Sequence, residues 1–140
     1  MAAAGYEVLE HPADIGFRAH APTLPRLFEQ SAVALLSIAA DPAAAEPRTE
    51  FPLSAEGGGL EPLLVAWLSE VLFWFDSGRA AFREFHIREL SDTALVAAGL
   101  GEPRDPSRHR SRLIVKAVTW HQLKIERRGD VWTAQVYLDI

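Results

Sequence analysis

The segment that most limits the fold is "EPLLVAWLSEVLFWFD", Glu61 to Asp76. Pro62 suits a first helical turn, where its missing N–H has no intrahelical partner to lose. Leu64, Trp67, Leu68, Val71 and Phe75 recur at helical spacing as one stripe, and Val65, Phe73 and Trp74 widen it nearly all the way round. A helix that is apolar on almost every side either runs through the centre of a domain or turns one face to a partner chain. Any fold of this chain must wrap other elements around residues 61–76 or leave an interface beside them.

The remaining pattern supplies those elements. Thr23 can cap a helix over Leu24–Ala39, with Leu24, Leu27, Phe28, Leu35, Leu36 and Ala39 near helical spacing. Short alternating segments at Tyr6–His11 and Ile15–His20 precede it, and a strand at Thr49–Ser54 follows, ended by "EGGG". Further strands are predicted at Arg83–Leu90, at Ala94–Gly99, at Arg112–Trp120 running on to Glu126, and at Val131–Ile140. "DPAAAEPR" and "GEPRDPSRHR" are proline-rich breaks, and "RRGDV" is a hairpin turn through Gly129 and Asp130 rather than an adhesion motif. Hairpin signals outnumber crossover units, so the expected class is α+β, an antiparallel or mixed sheet carrying two main helices. With 140 residues and no internal repeat or long linker, residues 1–140 read as a single domain.

Composition excludes some chemistry. There is no cysteine, so disulfides, thiolate zinc sites and redox chemistry at sulfur are absent. No basic leader and no apolar run of about 18 to 20 residues is found, so the expected setting is the cytoplasm, without a membrane. The net charge is −5, yet residues 101–130 carry Arg104, Arg108, Arg110, Arg112, Lys116, Lys124, Arg127 and Arg128 against Glu102, Asp105, Glu126 and Asp130. Such a basic third on an acidic body either steers a phosphate-bearing partner or is a solvated, arginine-rich loop and hairpin.

The last residues read "VYLDI". Period-two alternation puts Trp132, Ala134, Val136, Leu138 and Ile140 on a core side, and Thr133, Gln135, Tyr137 and Asp139 on the other. Asp139 then stands beside the terminal carboxylate, and two adjacent negative groups repel unless a cation or a basic side chain lies between them. Grouped hard oxygens suit calcium, magnesium or manganese; the alternative is a solvated end held by Ile140 packing inward. Asp14, in "HPADIGF", is a turn residue by itself, but it would approach Asp139 if the first and last strands were neighbours.

"LEHPADIGFRAHAPTLPRLFEQSAVALL", "LLVAWLSEVLFWFD", "GEPRDPSRH", "VKAVTWHQLKI" and "WTAQVYLDI", in this order and over nearly the whole chain, resemble the archease family. The resemblance implies an accessory protein of RtcB-type RNA ligases, which act in tRNA splicing and RNA repair. It implies no catalysis of its own, but promotion of GTP-dependent guanylylation of the ligase and of multiple turnover. It also implies a divalent-metal site, with calcium ahead of magnesium or manganese. The matching ligands are Asp14, Asp139 and Ile140, the last through main-chain or terminal oxygens, and Lys116 in "VKAVT" matches a lysine important for activation. Pro12 and Trp120 depart from the threonine and tyrosine often found in the family. Oligomeric state is left open.

Two other classes compete: a chaperone-like interaction module built on the apolar second helix, without a metal role, and a free-standing metal-dependent phosphohydrolase. The latter needs an open coordination position and a base, for which His11, His20 and His121 are the candidates. GTP has no P-loop here: "GGG" at Gly57–Gly59 lacks the following lysine and serine or threonine. Ser69 in "WLSEV" has no nucleophile elbow around it.

Overall fold

In a computed structural model of the chain, residues 3–11 and 14–140 are described, except for the side chains of Glu10 and His11. Pro12, one of the two departures from the family pattern, therefore lies outside the described residues, as does the side chain of His11. The elements are β1 (Gly5–His11), β2 (Asp14–Ala21), α1 (Leu24–Ala39), β3 (Thr49–Glu56), α2 (Leu60–Asp76), β4 (Ala81–Leu90), β5 (Ala94–Glu102), β6 (Ala117–Val118), β7 (Lys124–Arg128) and β8 (Val131–Asp139). A single 3-10 turn at Pro42–Ala44, not expected from the sequence, follows α1.

The fold is α+β, and every strand pairing is antiparallel. One sheet runs β1-β2-β8, and both β6 and β7 pair with the far edge of β8. The other runs β3-β5-β4. Pro52 sits in β3, an edge strand, where its missing N–H breaks no inner ladder. Gly129 turns β7 into β8 at φ 63°, in the left-handed region open to glycine.

α1 begins where Thr23 Oγ1 accepts a hydrogen bond from the Arg26 N–H at 3.3 Å. It packs against β2 of the first sheet and β4 of the second, so its apolar stripe joins the two layers. α2 lies against β3 and α1. Its Trp67 is wholly buried, donates Nε1–H to the Phe28 carbonyl at 3.0 Å and meets the Phe85 ring edge-on. That satisfies the indole's one polar group while the rings fill the space between the sheets. The central position expected for α2 is therefore met, with one exception: Phe73 is 50 % exposed, its ring 5.0 Å from the Arg79 guanidinium. No helix among the described residues is long and apolar enough to cross a membrane.

Two expectations are corrected. The strand predicted over Arg112–Trp120 and on to Glu126 is only Ala117–Val118 and then Lys124–Arg128. Ahead of it, the Arg112 N–H bonds the Ala39 carbonyl at the end of α1, which takes that segment away from any strand partner. Within it, the His121 N–H bonds Thr119 Oγ1 and Gln122 adopts φ 50°, so the chain bulges out before rejoining β8. Ile140, expected on the core side, is 42 % exposed. Its inward neighbours Ala134, Val136 and Leu138 are buried, but the ladder stops at Asp139 and alternation stops with it.

Candidate functional site

β2 and β8 run side by side with Ile15 opposite Leu138, Gly16 opposite Tyr137 and Arg18 opposite Gln135. Asp14 and Asp139 are the next residue on each strand beyond the Ile15–Leu138 pair, so both carboxylates stand at the same end of the sheet. Alternation places them on one face: Phe17, Ala19, Val136 and Leu138 point into the core, while Asp139 is exposed and Asp14 half-buried. The first hairpin and the final strand therefore meet where their acidic residues stand, as the sequence required for a shared site.

Lys116 arrives at the same end, one residue ahead of β6. Its N–H donates to the Asp139 carbonyl at 2.8 Å, and Ala117 lies opposite Asp139. By alternation the Lys116 side chain takes the other face. There it lines, with Ser69, Leu72, Phe73 and Asp76 of α2, a cleft of about 280 Å³. Burial raises the Asp76 carboxyl above its ordinary range, and the nearby Arg104 charge opposes that rise. Thus Asp14 and Asp139 share one face, and Lys116 joins them through its backbone.

A divalent cation fits the donor set. Asp14 and Asp139 would contribute hard carboxylate oxygens, and Ile140, exposed beside them, a main-chain oxygen. The Asp139 carbonyl accepts the Lys116 N–H, and the exposed Asp139 carboxylate would be the group offered to a cation. Among the described residues no three His, Asp or Glu side chains gather as a metal site; the set here has two such side chains, and its third donor is backbone. Of the candidate bases, His121 packs its ring against Tyr137, with centroids 5.8 Å apart.

Gly16, in β2 opposite Tyr137, is as telling as the aspartates. A β-carbon on Gly16 would meet the Val136 carbonyl oxygen and come within 2.8 Å of Tyr137 Cδ1. "ADIG" thus couples Asp14 to the one residue type that lets β8 lie close.

The basic loop turns out to be partly structural. Glu102, buried at the end of β5, accepts both arms of the Arg108 guanidinium at 2.9 and 3.0 Å and the Glu46 N–H at 2.7 Å. His109 is also buried. Its Nδ1 accepts the Asp105 N–H at 2.8 Å, which leaves Nε2–H to donate to Glu102 at 3.1 Å. Arg104 donates to the Phe75 carbonyl at 2.9 Å and lies 3.8 Å over the Phe75 ring. "GEPRDPSRH" is therefore a clasp that pins the loop to α2 and β5 through Arg104 and Arg108.

The Arg108 hydrogen bonds, aided by the Glu46 N–H, hold the Glu102 carboxyl down from 4.5 to about 2. A lowered folded-state value means the clasp stabilises fully above about pH 4.5 and loses that contribution as pH falls through about 2. Thermal melts should show Glu102→Gln less stable than wild type at pH 7, with the gap closing between pH 4.5 and 2. A gap independent of pH would contradict the charge assignment.

Three comparisons with known proteins bear on this arrangement. The Archease protein family (MTH1598/TM1083) model matches residues 6–140. A protein archease from Methanopyrus kandleri is 38% identical over 138 residues, covering 96% of this chain and 99% of the relative. The solution structure of Methanobacterium thermoautotrophicum protein 1598 superposes with a TM-score of 0.79 at 31% identity, over 97% of this chain and 99% of that one. A crystal structure from Thermotoga maritima, described as an archease and possible chaperone, shares the fold with a TM-score of 0.64 at 21% identity, over 94% of each chain.

Proposed function

Because the chain belongs to the archease family, we propose that it is a protein activator of an RtcB-type RNA ligase, not an enzyme, and that it acts from the end of the sheet where Asp14 meets Asp139. One observation carries the reading: the β2–β8 register sets the two aspartates at adjacent strand ends, with the Lys116 N–H, one residue ahead of β6, bonded to the Asp139 carbonyl. In this role it promotes guanylylation of a ligase histidine by GTP and sustains repeated turnover. The ligase joins an RNA 3′-phosphate or 2′,3′-cyclic phosphate end to a 5′-hydroxyl, in tRNA splicing and RNA repair. The proposal places the chain in the cytoplasm with that ligase, touching tRNA or broken RNA through it.

Asp14, Asp139 and a main-chain oxygen of Ile140 would hold a divalent cation, calcium in the first instance, with magnesium or manganese also suited to hard oxygens. When bound, the cation supplies positive charge for phosphate oxygens, which phosphoryl and nucleotidyl transfer require. The protein's own residues position: Gly16 admits β8 close to β2, and the Lys116 N–H fixes the Asp139 backbone so that its carboxylate points off the exposed face. The Lys116 ammonium, on the α2 side, adds a second positive group at the same end.

A ligase guanylylation assay with GTP, run with and without this protein while calcium, magnesium and manganese are titrated, tests the reading. Metal-dependent acceleration and multiple turnover are expected; no acceleration under any of the three metals would overturn it.

A second reading is favoured by Phe73, the one large apolar residue of α2 that is half-exposed. A chaperone-like module would use that face to cover apolar segments of a partner, without a metal. Suppression of a client's aggregation that is lost in Phe73→Ser and indifferent to chelator is its expected signature.

A further inference from the structure

The face of the first sheet turned away from the helices is ordered in rows across its strands. The end row holds Asp14 and Asp139. The next pairs Gly16 with Tyr137, whose ring is met by that of His121. The third runs Glu7, Arg18, Gln135 and Lys124 across four strands. Arg18 donates to Gln135 Oε1 at 2.7 Å, and Gln135 Nε2 donates to the Gln122 carbonyl at 3.0 Å, so this row is fixed from both sides. Arg18, Lys124, Arg128 and Thr133 line, with Glu126, an open depression of about 340 Å³. Carboxylates temper part of the charge: Glu7 lies 3.0 Å from Arg18, and Glu126 lies 3.7 Å from Arg128. Lys124 has no ion-pair partner among the described residues.

We infer that this face binds single-stranded nucleic acid, with phosphates on Arg18, Lys124 and Arg128 and a base stacked on the Tyr137–His121 pair. The arrangement combines the two things such a ligand requires, a cationic track for the backbone and an aromatic platform for unstacked bases. It places them on an open sheet surface, the platform used by sheet-based RNA modules. A duplex hides its base faces and would leave Tyr137 and His121 without a role. A free phosphate would need neither ring. The inference does not rest on the ligase reading, because the residues it uses lie beyond the carboxylate row. In sequence the cations and rings are scattered over residues 18 to 137, and only the strand order interleaves them.

Fluorescence anisotropy of a labelled short oligouridine RNA tests it. Wild type should bind with a dissociation constant of about 1–100 μM at physiological salt, and more tightly as salt is lowered. Lys124→Ala combined with Arg128→Ala should reduce the slope of log affinity against log salt by about 1.4, two phosphate contacts on a single strand. His121→Ala, an exposed substitution whose fold is checked by circular dichroism, should weaken binding about tenfold, as loss of one stacked base predicts. The inference is overturned if wild type fails to bind the RNA, if the double variant keeps the full salt slope, if a duplex of equal length binds as well, or if inorganic triphosphate displaces the RNA at equal phosphate concentration.

Discussion

Asp139→Asn is expected to leave the melting temperature unchanged while abolishing acceleration of ligase guanylylation. The substitution removes one charge and almost no volume at an exposed strand end. The backbone bond from the Lys116 N–H to the residue 139 carbonyl survives it, so the geometry stays and a ligand oxygen goes. Loss even of a group that orients a ligand costs about 10- to 100-fold in metal affinity; loss of the ligand itself should cost about 100-fold. Guanylylation at the wild-type rate, with a normal melt, would show that the carboxylate row is not the activating element.

Gly16→Val should do the opposite, striking stability and function together. A β-carbon at residue 16 collides with the Val136 backbone and the Tyr137 ring, and backbone cannot yield as a flexible side chain does. Overpacking of this kind costs about 3 kcal/mol, which in a chain of this size lowers the melting temperature by roughly 10 °C. Because the strain falls two residues from Asp14 on the same ladder, activation should fail as well. Asp139→Asn and Gly16→Val thus separate chemistry from scaffold: one loses activity at constant stability, the other loses both. A Gly16→Val protein that melts like wild type would mean that β8 does not lie where the register puts it.

What was legible in the sequence was whatever depends on local periodicity. The α1 boundaries and the Thr23 cap follow from spacing and one hydroxyl, and the central burial of α2 follows from its nearly uninterrupted apolar surface. The alternation in "VYLDI" correctly turned Asp139 outward. It overreached at Ile140, because period-two alternation holds only while a neighbouring strand holds the pleat. The break between Ala117–Val118 and Lys124–Arg128 was hidden for a related reason: it comes from a left-handed Gln122 and a Thr119 turn bond, neither of which has a strong compositional mark.

Pairings between distant residues were harder. That Asp14 and Asp139 share a sheet end depends on strand order, which only the acids themselves and the family resemblance suggest. By sequence Glu102 is an ordinary acid of the basic third. Nothing local says that an acidic residue after a strand will be buried under Arg108 and His109, although the proline-punctuated "GEPRDPSRH" marked the loop as shaped rather than loose. The rows on the outer sheet face were invisible for the same reason, since they are made by neighbours across strands.

The proposed role requires Asp14 and Asp139 to act as one site. Calorimetric titration of calcium into wild type, Asp14→Asn, Asp139→Asn and the double variant measures this directly. One site is predicted in wild type, with each single variant losing about as much affinity as the double, because either carboxylate alone leaves the set incomplete. Losses that simply add, or an Asp14→Asn protein that binds calcium like wild type, would contradict it.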